Sequence, residues 1–207
     1  GDYQGAVADY NEALRINPNF AYAYNNRGVA RSRLGDYQGA VADFNEALRI
    51  NPNFALAYNN RGSTRAELGD KQGAVADFTE VLRINPNFAL AHYNRGLARA
   101  ELGDKQGAVA DYNEALRINP NFALAYNNRG NARAELGDKQ GAVADFNEAL
   151  RINPNFALAY YNRGITRDGL GDKQGAIQDF QKAADLFQQQ GDKDSYQKAI
   201  NSLRRLQ

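Results

Sequence analysis

The 207-residue chain is 43% hydrophobic and 24% charged, with a formal net charge of only +1. Those are the proportions of a folded domain, and the charge balance excludes a surface built chiefly to neutralise nucleic-acid phosphates. With no cysteine, disulfides, thiolate nucleophiles and cysteine-bound metals are excluded.

The chain opens on Gly1-Asp2-Tyr3-Gln4-Gly5-Ala6. The same segment, with Tyr or Lys in third place, returns at Gly35, Gly69, Gly103, Gly137 and Gly171, always 34 residues on. Asn-Pro-Asn-Phe follows the same period, and Pro18, Pro52, Pro86, Pro120 and Pro154 account for every proline. Residues 55–88 and 123–156 differ at four of 34 positions. A fixed period of this length marks a stack of small structural repeats.

Residues 1–20 read as one helix with Ala6, Val7, Tyr10, Ala13 and Leu14 on its apolar face, the second helix of a truncated repeat. Full repeats follow at 21–54, 55–88, 89–122, 123–156 and 157–190. Each is expected to hold two helices. In 123–156, Tyr126, Gly130 and Arg133 share a face of the first. Gly137 stops it, and Asp138 caps the second. The second carries the stripe Ala142, Val143, Phe146, Ala149 and Leu150 until Pro154 ends it, and Asn155 is expected to cap the next helix. The last full repeat has Gln188 in place of the proline. Residues 191–207 carry Tyr196, Ala199, Ile200, Leu203 and Leu206 on one stripe, a solvating cap helix. The predicted class is all-α.

Tyr126, Gly130, Ala142, Phe146, Ala149 and Pro154 resemble the signature of the tetratricopeptide repeat family, and the likeness covers nearly the whole chain. It implies a right-handed superhelical solenoid of helix–turn–helix units. It also implies a non-enzymatic scaffold that binds an extended peptide or helix of another protein in a concave groove lined by the first helices.

Two arginines per repeat depart from that signature. The first set is Arg27, Arg61, Arg95, Arg129 and Arg163; each second helix carries an aspartate before its aromatic, from Asp9 through Asp43, Asp77, Asp111 and Asp145 to Asp179. Either the arginines form a cationic ladder for an acidic ligand, or each pairs internally with an aspartate, as a half-buried guanidinium requires. The second set is Arg31, Arg65, Arg99, Arg133 and Arg167, for which an ion pair with the loop aspartates is expected. Gly5 and its equivalents weaken the start of each second helix, through close packing or fraying.

The groove implied by the resemblance would hold Asn26, Asn60, Asn94, Asn128 and Asn162, one per repeat. Beside them stand Asn25, Asn59, Tyr93, Asn127 and Tyr161. A carboxamide offers two donors and an acceptor, so such a row can grip a peptide backbone whatever its side chains. Otherwise these asparagines pack within the stack. Val29, Ser63, Leu97, Asn131 and Ile165 form the most varied row, suited to selectivity or to neutral drift. The family's clamp for acidic C-termini needs lysines that are absent here, so that ligand is not expected.

No catalytic, metal or cofactor site is expected. His92, the only histidine, replaces a packing tyrosine, and Gly-Asp-Lys-Gln-Gly-Ala lacks the ending of a phosphate-binding loop. The expected partner is another protein or peptide, with neither nucleic acid nor membrane. The alternative is a self-associating array that dimerises through the helix at 1–20. No run nears the roughly 18 apolar residues of a membrane span and no leader opens the chain, which suggests the cytoplasm. The start at Gly1 and the lack of methionine suggest an excised or processed fragment.

Overall fold

The computed structural model describes residues 1–206, and among them there are twelve helices and no strand. They fall into two compact units, residues 1–103 and 104–207. The first holds α1 (Tyr3–Ile16), α2 (Ala21–Arg33), α3 (Tyr37–Ile50), α4 (Ala55–Glu67), α5 (Lys71–Ile84) and α6 (Ala89–Glu101). The second holds α7 (Lys105–Ile118), α8 (Ala123–Glu135), α9 (Lys139–Ile152), α10 (Ala157–Asp168), α11 (Lys173–Gln190) and α12 (Lys193–Leu206). Within each unit every helix packs against the next, and α2 also meets α4, α4 meets α6 and α8 meets α10. The class is an all-α helical-repeat fold, as the period predicted.

The turn inside each repeat is fixed by glycine and aspartate. Gly137 lies at φ 92°, in the left-handed region that favours glycine. It lets Asp138 N–H close back on the Arg133 carbonyl at 2.9 Å. The Asp138 carboxylate then accepts from Gly141 N–H at 2.9 Å, capping α9 as predicted. This cap also explains the weakening glycine: a Cβ on Gly141 would stand 2.1 Å from the Asp138 carboxylate. Close packing is therefore the reason.

The turn between repeats differs from expectation. Phe156, not Asn155, stands at the start of α10, and no side chain caps it. Asn153 Oδ1 instead accepts from Asn155 N–H at 3.1 Å, folding the Asn-Pro-Asn segment into an Asx turn ahead of the helix.

The core is thin and periodic. In the first unit, Ala21, Ala47, Leu48, Phe54 and Ala57 cluster with Tyr24 and Tyr58, while Phe78 packs with Ala74 and Ala98. In the second, Ala149, Leu150 and Ala159 are joined by Tyr126 and Tyr160. Phe187 and Ala199 bring α11 and α12 together with Tyr196 and Ile200. Without a proline, α11 runs on to Gln190 and stops at Gly191, φ 75°. At the other end Leu14 is buried, while Val7 and Tyr10 are half-buried.

Candidate functional site

The first helices place the functional candidates, and their paired charges set that placement. Arg27 Nε and Nη2 donate to the two oxygens of Asp43 at 3.0 and 2.6 Å, while Nη1 donates to Asn11 Oδ1 at 2.7 Å. Arg61, Arg129 and Arg163 repeat the arrangement with Asp77 and Asn45, Asp145 and Asn113, and Asp179 and Asn147. Each guanidinium lies over a tyrosine of its own helix, Arg129 at 5.3 Å from the Tyr126 ring centre. Bonding to Asp43 raises the Arg27 pKa above its ordinary value. These four arginines are internal braces that tie a first helix to the second helices on both sides.

The second arginine set does more than pair with loop aspartates. Arg31 reaches Asp36 only at 3.7 Å, but donates to the buried Asp43 at 2.9 Å. Arg65, Arg133 and Arg167 do the same with Asp77, Asp145 and Asp179. Each of these aspartates thus receives two guanidiniums, which is why it can be buried.

With that face of the helix committed, the asparagines lie elsewhere on it. In the first unit Asn25 is 5% exposed and lies in the stack. Its Nδ2 donates to Asn26 Oδ1 at 3.1 Å and its Oδ1 accepts from Asn60 Nδ2 at 3.0 Å. In the second unit Asn127, 1% exposed, joins Asn128 at 3.0 Å and Asn162 at 3.2 Å in the same way. Burial removes Asn25 and Asn127 from direct ligand contact: their carboxamides orient their neighbours. Asn59 differs, since its Oδ1 is buried without a hydrogen-bond partner.

Asn26 is exposed, and Asn60, Asn94, Asn128 and Asn162 are half-exposed. Asn60 spends one donor on Asn25, leaving a second donor and its carbonyl for a ligand. Val29, Ser63 and Leu97 in the first unit, and Asn131 and Ile165 in the second, are exposed or half-exposed. Tyr93 is half-buried, and Tyr161 packs against Phe180 with the rings tilted by 55° and their centres 5.6 Å apart.

One row was not singled out from the sequence. Tyr22, Leu56 and Leu90 in the first unit, and Leu124 and Leu158 in the second, are large apolar side chains left exposed. Each precedes a row asparagine by four residues, one helical turn, and so shares its face. That fixed offset was the available signal. Cavities open along these faces. One of about 430 Å³ is lined by residues of α2, α3 and α4 that include Val29, Tyr37, Asn60 and Glu67. Another of about 320 Å³ in the second unit is lined by Asn131, Glu135, Asn162 and Ile165.

Among the described residues no group of three acidic or histidine side chains could hold a metal ion. No helix among them is long and apolar enough to cross a membrane. His92 Nε2 lies 3.0 Å from the Pro86 carbonyl, a contact that anchors the ring to the inter-repeat turn.

Family profiles described as Tetratricopeptide repeat match residues 21–54 and 123–156, and residues 146–178. A profile described as TPR repeat matches residues 1–35, 62–103 and 98–137, more than half of the chain. No curated protein matches the chain in sequence. Similar solved structures include MamA residues 41 to the end from Desulfovibrio magneticus RS-1, at 24% identity and TM-score 0.77, covering 82% of this chain and 96% of that one. The structure of YrrB, described as a TPR protein with an unusual peptide-binding site, matches at 23% identity and TM-score 0.76, covering 93% of this chain and 97% of that one. A tetratricopeptide repeat protein from Parabacteroides merdae ATCC 43184 matches at 22% identity and TM-score 0.76, covering all of this chain and 87% of that one.

Proposed function

The chain belongs to the tetratricopeptide repeat family, whose members generally mediate protein–protein interactions, and from that premise we propose that it is a non-enzymatic scaffold holding an extended peptide or helix of another protein against its first helices. The observation that carries this reading is the row of half-exposed asparagines held by their neighbours. Asn60 and Asn162 are each pinned by a buried asparagine 35 residues earlier, Asn25 and Asn127. A carboxamide already fixed in place loses little side-chain entropy on binding. The exposed apolar row one turn away supplies the contact area that hydrogen bonds alone lack. The varied row, Val29, Ser63, Leu97, Asn131 and Ile165, then tunes which side chains are accepted. The peptide-binding site named for YrrB supports the same use of this fold.

The test is a selection of displayed peptides on the intact chain, followed by affinity measurement on the combined Asn26→Ala, Asn60→Ala, Asn94→Ala variant of the first unit. Binding should fall by about a hundredfold, on the basis of roughly 1 kcal/mol for each lost hydrogen-bonding side chain. Unaltered affinity in a variant with retained helicity removes the asparagine row from the site.

A second reading, self-association through the N-terminal helix, is favoured by one observation. Ile16, at the end of α1, is 71% exposed, and Phe20, four residues on, is exposed as well, as is Tyr3 at the start of the same helix. An apolar end of this kind attracts another surface.

A further inference from the structure

In the first unit Lys71 opens α5, and its ammonium pairs with Glu101 on α6 at 2.5 Å. Both line a cavity of about 200 Å³. The second unit repeats the rung: Lys105 pairs with Glu135, and Lys139 donates to the Gly169 carbonyl at 2.8 Å where glycine replaces the glutamate. The rung before Lys71–Glu101 breaks the rule. Tyr37 stands in the lysine's place and Glu67 in the glutamate's, so the carboxylate remains and its cation is gone. No described residue forms an ion pair with Glu67. The cavity at this rung is about 430 Å³, twice that of the filled one.

We propose that this cavity is a socket for a lysine side chain of the bound peptide, whose ammonium takes the place that Lys71 fills one rung on. The inference rests on the peptide-scaffold reading above and names one side chain that it selects. Glu67 supplies the charge, and the Tyr37 ring supplies an aromatic face to a cation. Asn60, Ser63 and Thr64 line the same space and offer oxygens to an ammonium's three donors. Arg33 also lines it and repels a cation, which favours the α4 side, next to Glu67, over the α2 side.

The probe is Nα-acetyl-lysine methylamide, titrated into the intact chain while backbone amide resonances are followed, with the norleucine analogue as control. Saturable shifts are expected at Tyr37, Ser63 and Glu67 with the lysine compound and not with norleucine. Glu67→Gln should weaken the response by up to about fivefold, the scale of one exposed ion pair. Arg33→Gln should strengthen it. Tyr37→Lys should abolish it, because the introduced ammonium fills the socket from within; this variant restores the residue found in four other repeats, so it folds. Equal response to norleucine, no response, or a response unchanged in both Glu67→Gln and Tyr37→Lys overturns the socket. Peptides that bind through the asparagine row without any preference for lysine would overturn the socket and leave the scaffold reading standing. A lysine response without peptide binding would do the reverse.

Discussion

Arg129 grips Asp145 with two parallel hydrogen bonds, 2.9 Å from Nε and 2.5 Å from Nη2, across the α8–α9 hairpin. Asp145 is 2% exposed and has a second cation, Arg133, at 2.9 Å. Removing Arg129 therefore leaves the carboxylate singly compensated rather than stranded. Arg129→Leu is expected to lower stability by about 1–3 kcal/mol, less than the 3–5 typical of breaking a buried pair outright. The combined Arg129→Leu, Arg133→Leu variant should lose more than the sum of the two single changes. Urea denaturation of the four proteins checks this, and additive effects would mean that Asp145 finds water.

Two glycines in the same repeat should respond differently to alanine. A Cβ on Gly130 would stand 2.8 Å from the Phe146 ring, which is fully buried. Gly130→Ala should cost about 1–3 kcal/mol through overpacking, despite a propensity gain of about 1 kcal/mol. At Gly141 the nearest atoms to the added Cβ are those of the capping Asp138 carboxylate, a side chain that can move. Loss of a cap worth about 1 kcal/mol offsets a similar propensity gain, so Gly141→Ala should be near neutral. Thermal melts of both variants check the contrast.

Among the row asparagines, Asn94 and Asn60 separate binding from stability. Asn60→Ala strands the buried Asn25 oxygen, at a cost of about 1–3 kcal/mol, so it should lower both the melting temperature and peptide affinity. Asn94→Ala should lower affinity alone, since the Asn59 carbonyl, counterpart of the Asn25 oxygen one repeat earlier, is already unpartnered. Calorimetry and peptide binding on the two variants check this. Equal melting temperatures would mean that the Asn25–Asn60 bond contributes nothing.

The fold was legible because repetition multiplies weak signals. A single Gly-Asp pair or a single Asn-Pro says little, whereas six copies of the first and five of the second, each at one spacing, mark every turn. Arg27–Asp43 pairing was legible as a requirement, since a half-buried guanidinium needs a carboxylate. That Arg31 reaches the same aspartate was not, because it depends on which way a long side chain leans between two helices. The burial of Asn25 and Asn127 was equally hidden: adjacent asparagines read alike in sequence, yet the roughly 100° between successive helical residues sends one into the stack and the other to the face. Asn155 failed as a cap for a local reason, as Asn153 two residues earlier already folds the turn.

The N-terminal end offers a last test, which the structure reshapes. Leu14 looked like part of an open apolar face, but α2 covers it, and a charge placed there would unfold the helix rather than report on association. The side chains left exposed are Ile16 and Phe20, with Tyr3 at the start of α1. If they join two copies, the contact is between identical ends and closes as a dimer instead of growing into a fibre. Sedimentation at tens of micromolar, on the order of the affinity expected from a small apolar patch, should then show a dimer. The combined Ile16→Glu, Phe20→Ser variant should sediment as a monomer with unchanged helicity. Monomers in both cases would show that the exposed end is tolerated. A dimer that survives the double substitution would place the contact elsewhere, and repeating the run with Leu56→Ser and Leu90→Ser would ask whether the groove face itself pairs.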